Sequence, residues 1–130
     1  MLVVDASFAI EASLVLNGFE RLRGRDAIAP ALMWSETHSV LHEMEWRKAI
    51  SSELAKEARI RLRRAPILTR RPARLLEQAW HIADRMGWAK TYDAEYVALA
   101  EISKCPLLTV DARLARGVER WIEVVGPADL

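Results

Sequence analysis

The sequence predicts an α/β fold built on a mostly parallel sheet of about five strands. Two apolar runs, Leu2-Val3-Val4 and Pro106-Leu107-Leu108-Thr109-Val110, lack the alternation of a half-exposed strand and suit strands buried on both faces. Helix-period segments separate the strand-like runs along the whole chain, the pattern of a parallel sheet. A carboxylate follows each apolar run, Asp5 and Asp111, at the strand ends where open α/β sheets bind their ligands.

The length of 130 residues makes one domain, 1–130, large enough to bury roughly two-thirds of its unfolded surface. Apolar residues at 52% and charged residues at 28% exclude a disordered chain. No apolar run approaches the ~18 residues of a membrane span, and Asp5 stands where a signal peptide would carry basic residues. With Cys105 as the only cysteine there is no internal disulfide and no Cys-based zinc site. A cytoplasmic protein without membrane contact is expected.

Leu2–Val4 forms the first strand, and Ser7 is placed to cap the helix that follows. That helix is expected from Phe8 to about Leu22, with Ile10, Leu14, Val15 and Leu16 in register and Asn17-Gly18 ending or bending it. Ala27-Ile28-Ala29 is a second strand, stopped by Pro30. A long helix over 31–46 carries Leu32, Val40, Leu41 and Met44 inward. A further amphipathic helix begins near Ile50, and Pro66-Ile67-Leu68-Thr69 reads as an edge strand. Pro72 opens the next helix, which Gly87 ends. Thr91 or Tyr92 to Ser103 is another helix, with Tyr96, Leu99 and Ala100 inward. The strand at 106–110 leads through Asp111 into a short helix, and Trp121-Ile122-Glu123-Val124-Val125 closes the sheet. The five tryptophans are expected mostly in core or interface positions.

Charge is unevenly spread. Residues 47–74 hold ten basic residues against two acids, a net +8 in a chain whose total is +1. Neutral overall charge therefore hides a basic segment, here expected to meet phosphate through Arg59, Arg61 and Arg63.

Four acids stand out by position: Asp5 and Asp111 after strands, Asp93 in the first turn of a helix, and Glu36 in the second turn of another. Each alone has an ordinary explanation, since acids cap and stabilise helix starts. Together, all four fall on the carboxyl edge of a parallel sheet. Like charges converging there repel unless a cation joins them, and without one at least one pKa should rise. Carboxylate oxygens without cysteine suit Mg²⁺ or Mn²⁺ rather than zinc. His38 and His42 have helical i, i+4 spacing, but Glu36 precedes them without an H-E-x-x-H pattern.

Val3-Val4-Asp5-Ala6-Ser7, Pro30 with Glu36-Thr37-His38-Ser39-Val40-Leu41, Tyr92-Asp93-Ala94-Glu95-Tyr96 and Leu107-Leu108-Thr109-Val110-Asp111 resemble, in order and spacing, the successive motifs of the PIN-domain family. More narrowly they are similar to VapC-type toxins of bacterial and archaeal toxin–antitoxin pairs. The resemblance implies a three-layer α/β/α fold and a Mg²⁺- or Mn²⁺-dependent endoribonuclease. It implies RNA as substrate, a cognate antitoxin as partner, and a homodimer. It casts Asp5, Glu36, Asp93 and Asp111 as the acidic metal site and Thr109 as the hydroxyl that orients it. Ser39 stands where the family commonly has Asn. An antitoxin tail would lie over the carboxylates with an Arg or Lys among them, and Trp34 and Trp46 are candidates for its groove, for a dimer interface or for core.

A phospho-acceptor receiver domain, also α/β with Mg²⁺, does not fit. It needs an acidic pair after the first strand and a late lysine, whereas Asp5 is alone and no lysine follows Lys104. A PIN-fold nuclease in RNA or DNA processing without a toxin role stays open, as does a catalytically inactive metal-binding scaffold.

Overall fold

The computed structural model describes residues 1–130, with β1 (Leu2–Val4), α1 (Ala6–Ser13), β2 (Ala27–Ala29), α2 (Leu32–Trp46), α3 (Ser52–Arg63), β3 (Ile67–Thr69), α4 (Leu75–Met86), α5 (Tyr92–Ser103), β4 (Leu107–Leu108), α6 (Ala112–Val118) and β5 (Val124–Val125). All four strand pairings are parallel, in the order β3-β2-β1-β4-β5. From β1 the chain winds outward through β2 to β3, and from β4 it winds the opposite way to β5. Right-handed crossovers therefore put α1–α3 on one face of the sheet and α4–α6 on the other. α1, α2 and α3 pack together, while α4 packs along α5, which lies on β1 and β4. The result is three layers, α/β/α, with the winding reversed between β1 and β4. Such a switch point opens a crevice at the strands' carboxyl ends.

β1 and α5 form the centre of the core. Val3 and Val4 are fully buried, as are Ala94, Tyr96, Val97, Ala98 and Leu99 in succession on α5. From Tyr96 to Ala100 the helix is apolar and buried on every side. Gly87 ends α4 with φ +71, the left-handed conformation that glycine adopts without strain. β3 is an edge strand as expected.

Several boundaries differ from the sequence expectation. α1 stops at Ser13 instead of reaching Leu22, leaving Val15 and Leu16 exposed. The chain doubles back there so tightly that a Cβ on Gly18 would sit 1.9 Å from the Ala12 carbonyl oxygen. Asp5, not Ser7, occupies the N-cap position of α1, and α4 begins at Leu75, three residues after Pro72. On α2, Leu41 is buried as expected but Val40 is only half-buried, while Met33 and Thr37 are buried instead. The fifth strand shortens to Val124–Val125 because the amides of Trp121 and Ile122 still bond back to Val118, completing the turn after α6. No tryptophan is fully buried: Trp34 and Trp88 are half-buried, and Trp46, Trp80 and Trp121 are exposed. Ala, Val, Leu and Ile fill the narrow layers instead.

Candidate active site

β1 delivers Asp5 to the crevice almost completely buried. Its Oδ2 accepts a hydrogen bond from Ser7 Oγ at 2.6 Å and another from Thr109 Oγ1 at 2.8 Å. The two hydroxyls are 3.1 Å apart, and each has a single proton. With both protons committed to Asp5, their oxygens accept from the backbone: Val110 N–H donates to Ser7 and Asp111 N–H to Thr109. Thr109 N–H still bonds to the Val125 carbonyl, but the amides of Val110 and Asp111 go to site hydroxyls rather than to a longer ladder, and β4 spans Leu107–Leu108 instead of the expected 106–110. Ser7 belongs to this network and was not anticipated as part of it.

Glu36, on the second turn of α2, is half-buried, and its Oε1 accepts from the hydroxyl of Tyr96 at 2.5 Å. Tyr96 is itself fully buried, so the phenol has one side in the core and its polar end at the crevice. Sequence periodicity placed Tyr96 inward but not its hydroxyl on Glu36. Asp93 lies half-buried in the first turn of α5. Asp111 caps α6, its Oδ1 accepting from the amides of Arg113 and Leu114 at 3.0 and 3.1 Å. The capping explanation therefore holds for Asp111, but both bonds fall on one oxygen.

The four acids act on each other. Burial, followed by repulsion from Asp5 and Asp111, raises the pKa of Asp93, against a lowering by the nearby Arg113. Burial raises Glu36 also, with Asp5 and Asp93 adding to the rise and the Tyr96 hydrogen bond opposing it. The expected rise is thus present in two acids, with desolvation the larger cause and repulsion the smaller. A fifth acid missed by the sequence reading, Glu95, is raised by burial and then by Glu36. Tyr96 is held protonated by burial and by its carboxylate partner.

None of the ion pairs in the molecule involves Asp5, Glu36, Asp93 or Asp111. The hydrogen-bond donors to Asp5, Glu36 and Asp111 are neutral hydroxyls and amides, so their negative charge is satisfied geometrically but not cancelled. This donor set fits a hard divalent cation. As placed, no three of the acids close into a finished cage. Tyr96 holds Glu36 and the α6 cap holds Asp111. His38 and His42 stand apart, with His38 Nδ1 2.6 Å from the Trp34 carbonyl, to which it must donate.

Not all of the basic segment is free to meet phosphate. Arg61 is drawn into the fold, donating to the Ser13 carbonyl at 2.9 Å and pairing with Glu57, while Arg59 and Arg63 are exposed on α3. Trp34 donates from Nε1 to Thr69 at 2.7 Å, tying α2 to β3, and Trp46 is 77% exposed.

The family profile of the PIN domain matches residues 2–119, nearly the whole chain. The chain belongs to the PIN-domain family. Among characterised relatives, ribonuclease VapC9 of Mycobacterium tuberculosis is 34% identical over 116 residues, covering 88% of this chain and 89% of that protein. Ribonuclease VapC1 of the same species is 36% identical over 125 residues, covering 87% of each. Solved PIN-like folds superpose throughout. PAE2754 from Pyrobaculum aerophilum gives a TM-score of 0.75 at 17% identity, covering 98% of this chain and 90% of that one. FitAB bound to a DNA fragment gives 0.65 at 14% identity, covering 100% and 97%. At such low identity these two speak for the fold alone.

Proposed function

We propose that this PIN-domain protein is an endoribonuclease of the VapC type, the toxin of a toxin–antitoxin pair, and that Asp5, Glu36, Asp93 and Asp111 hold Mg²⁺ or Mn²⁺. The observation that carries the reading is the convergence of four carboxylates from four different elements on the β1/β4 switch point, with no cationic side chain paired to any of them. The VapC ribonucleases similar to it support RNA as the substrate and an antitoxin as the partner.

The bound ion would polarise the phosphate and lower the pKa of its water, so that no nucleophilic side chain is required. The chain's own residues prepare that chemistry. Ser7 and Thr109 fix the orientation of Asp5 through its Oδ2. Tyr96 restrains Glu36 at the rim, and Asp93 comes from the α5 face. Hydrolysis on this plan leaves 5′-phosphate and 3′-hydroxyl ends. We assign the protein to the cytoplasm, where its RNA would lie, and propose a homodimer. Leu76 and Trp80, one turn apart and exposed on α4, support the dimer reading.

The experiment is cleavage of RNA by the purified protein with Mg²⁺, with Mn²⁺ and with EDTA, alongside Asp5→Asn and Asp93→Asn. Cleavage should need the ion and fall by two orders of magnitude or more in folded variants. Full activity in EDTA overturns the metal mechanism. Mapping transcript 5′ ends after induction, against Asp93→Asn, identifies the RNA that is cut.

A further inference from the structure

Next to the carboxylates a cleft of about 560 Å³ runs between the α4–α5 connection and α6. Glu36 and Asp93 form its inner end, and Trp88, Lys90, Tyr92 and Arg113 line the remainder. We propose that this cleft is a binding subsite for the nucleotide adjoining the scissile phosphate, with Tyr92 stacking on its base and Lys90 and Arg113 holding its phosphate. The proposal rests on the ribonuclease reading above and adds where the RNA strand continues beyond the cut.

Four observations converge on it. The volume lies within the ~300–1,000 Å³ usual for sites that take a small molecule or a single monomer. Small residues keep it open: a Cβ on Gly117 would already touch the Trp88 ring at 3.9 Å, so a longer side chain there would fill the cleft. Tyr92 is 53% exposed at the start of α5, beside a half-buried Trp88, and an exposed ring at a cleft offers a π-face that any base can stack on. Finally, Lys90 and Arg113 are exposed and enter no ion pair.

Their position settles which positive charge serves the substrate. The acidic crevice repels RNA, so phosphates need cations close beside it. Arg113 is near enough to lower the pKa of Asp93. By contrast Arg61, in the most basic stretch of the sequence, is spent on Ser13 and Glu57. Arg59 and Arg63 on α3 are free as well, but Lys90 and Arg113 line the cleft that holds Glu36 and Asp93, so the phosphate beside the acids is held from the α6 side.

The test uses the full chain carrying Asp5→Asn, so that binding is read without cleavage, and labelled single-stranded RNA oligonucleotides. Adding Tyr92→Leu should weaken binding about tenfold at every salt concentration, as loss of one base stack does, and Tyr92→Trp should restore it. Adding Lys90→Ala and Arg113→Ala should flatten the salt dependence by about 0.7 in log–log slope per cation removed. An abasic nucleotide moved along the oligonucleotide should abolish the Tyr92→Leu penalty at one position only. In protein with Asp5 intact, the same substitutions should raise KM more than they lower kcat. Binding and KM unaffected by all three substitutions, in a protein that still cuts RNA with Mg²⁺, overturn the subsite and leave the nuclease standing. A chain that neither binds nor cuts RNA overturns the nuclease reading as well.

Discussion

Replacing Tyr96 by Phe removes one oxygen from the core, and the structure says what that oxygen does. The hydroxyl donates to Glu36 at 2.5 Å from a fully buried ring. A hydrogen bond to a charged group contributes about 1.5–3 kcal/mol, and Glu36 is half-exposed, so water recovers part of it and about 1.5 kcal/mol is the better figure. For 130 residues the unfolding entropy is roughly 0.27 kcal/mol/K, which converts that loss to about 5 °C in Tm at neutral pH. The loss should also depend on pH. Glu36 is raised above its ordinary value in the folded protein. Between the ordinary and the raised value the folded state binds more protons than the unfolded one, so stability falls as pH climbs through that window. The Tyr96 bond opposes the rise, and Phe widens the window. Near pH 4 Glu36 is protonated in both proteins and only a neutral hydrogen bond is lost, about half the effect. Melts of both proteins with EDTA at pH 4 and pH 7.5 should therefore show a gap of about 2–3 °C widening to about 5 °C. Neighbouring raised acids are common to both proteins and cancel in the difference. An equal gap at both pH values would assign the hydroxyl to packing, and no gap at all would mean that the bond to Glu36 is not made.

Asp93→Asn should leave the EDTA form as stable as wild type or more so, because it removes a charge that folding holds at raised pKa. Saturating Mg²⁺ should reverse that order, since a ligand at one hundred times its dissociation constant adds about 2.7 kcal/mol to the form that binds it. A variant clearly less stable in EDTA, with no gain by wild type from Mg²⁺, would make Asp93 a structural residue. Arg61→Ala should lower Tm by roughly 4–7 °C, the loss of about 1–2 kcal/mol from a partly screened charged donor on the Ser13 carbonyl, and should leave the salt slope of RNA binding unchanged. A changed slope with an unchanged melt would return Arg61 to the RNA surface.

Most of this architecture is legible because buried parallel strands write continuous apolar runs, and each run here ends in a residue that cannot continue it. Leu2–Val4 stops at Asp5, and Leu107–Leu108 stops before Asp111. The four acids are readable for the same reason, being the polar residues that break apolar patterns at the sheet's carboxyl edge. What stays hidden is side-chain pairing across long separations. Tyr96 and Glu36 lie 60 residues apart, and Ser7 and Thr109 lie 102 apart, so no local pattern joins them. A clue existed for Tyr96: a tyrosine due for the core needs a partner for its hydroxyl. The tryptophans divide between the two places expected of them, Trp34 and Trp88 packing against the core and Trp46, Trp80 and Trp121 lying exposed where an interface could cover them. Sequence records net charge but not which guanidinium is already bonded: of the three arginines expected at phosphate, Arg61 is held by Ser13 and Glu57, while Arg59 and Arg63 are free. Arg113, outside the +8 segment, is the one whose charge reaches Asp93.

The choice of partners for the acids explains why the fold and the chemistry do not compete. A buried carboxylate needs donors, and the strongest would be Arg or Lys. Such a pair would stabilise the crevice and also neutralise it, leaving a cation nothing to replace. Hydroxyls and amides satisfy the lone pairs while leaving the charge in place. Asp5 receives Ser7 and Thr109, Glu36 receives Tyr96, and Asp111 receives the first amides of α6. Burial first and mutual repulsion second raise the pKa values of Glu36, Asp93 and Glu95, so the folded state is made less stable at neutral pH by holding these carboxylates charged and uncompensated. That destabilisation is the free energy a divalent ion would recover on entering. The same uncancelled charge leaves RNA no foothold within the crevice itself, so the strand must be gripped alongside it, where Lys90, Tyr92 and Arg113 line the adjoining cleft.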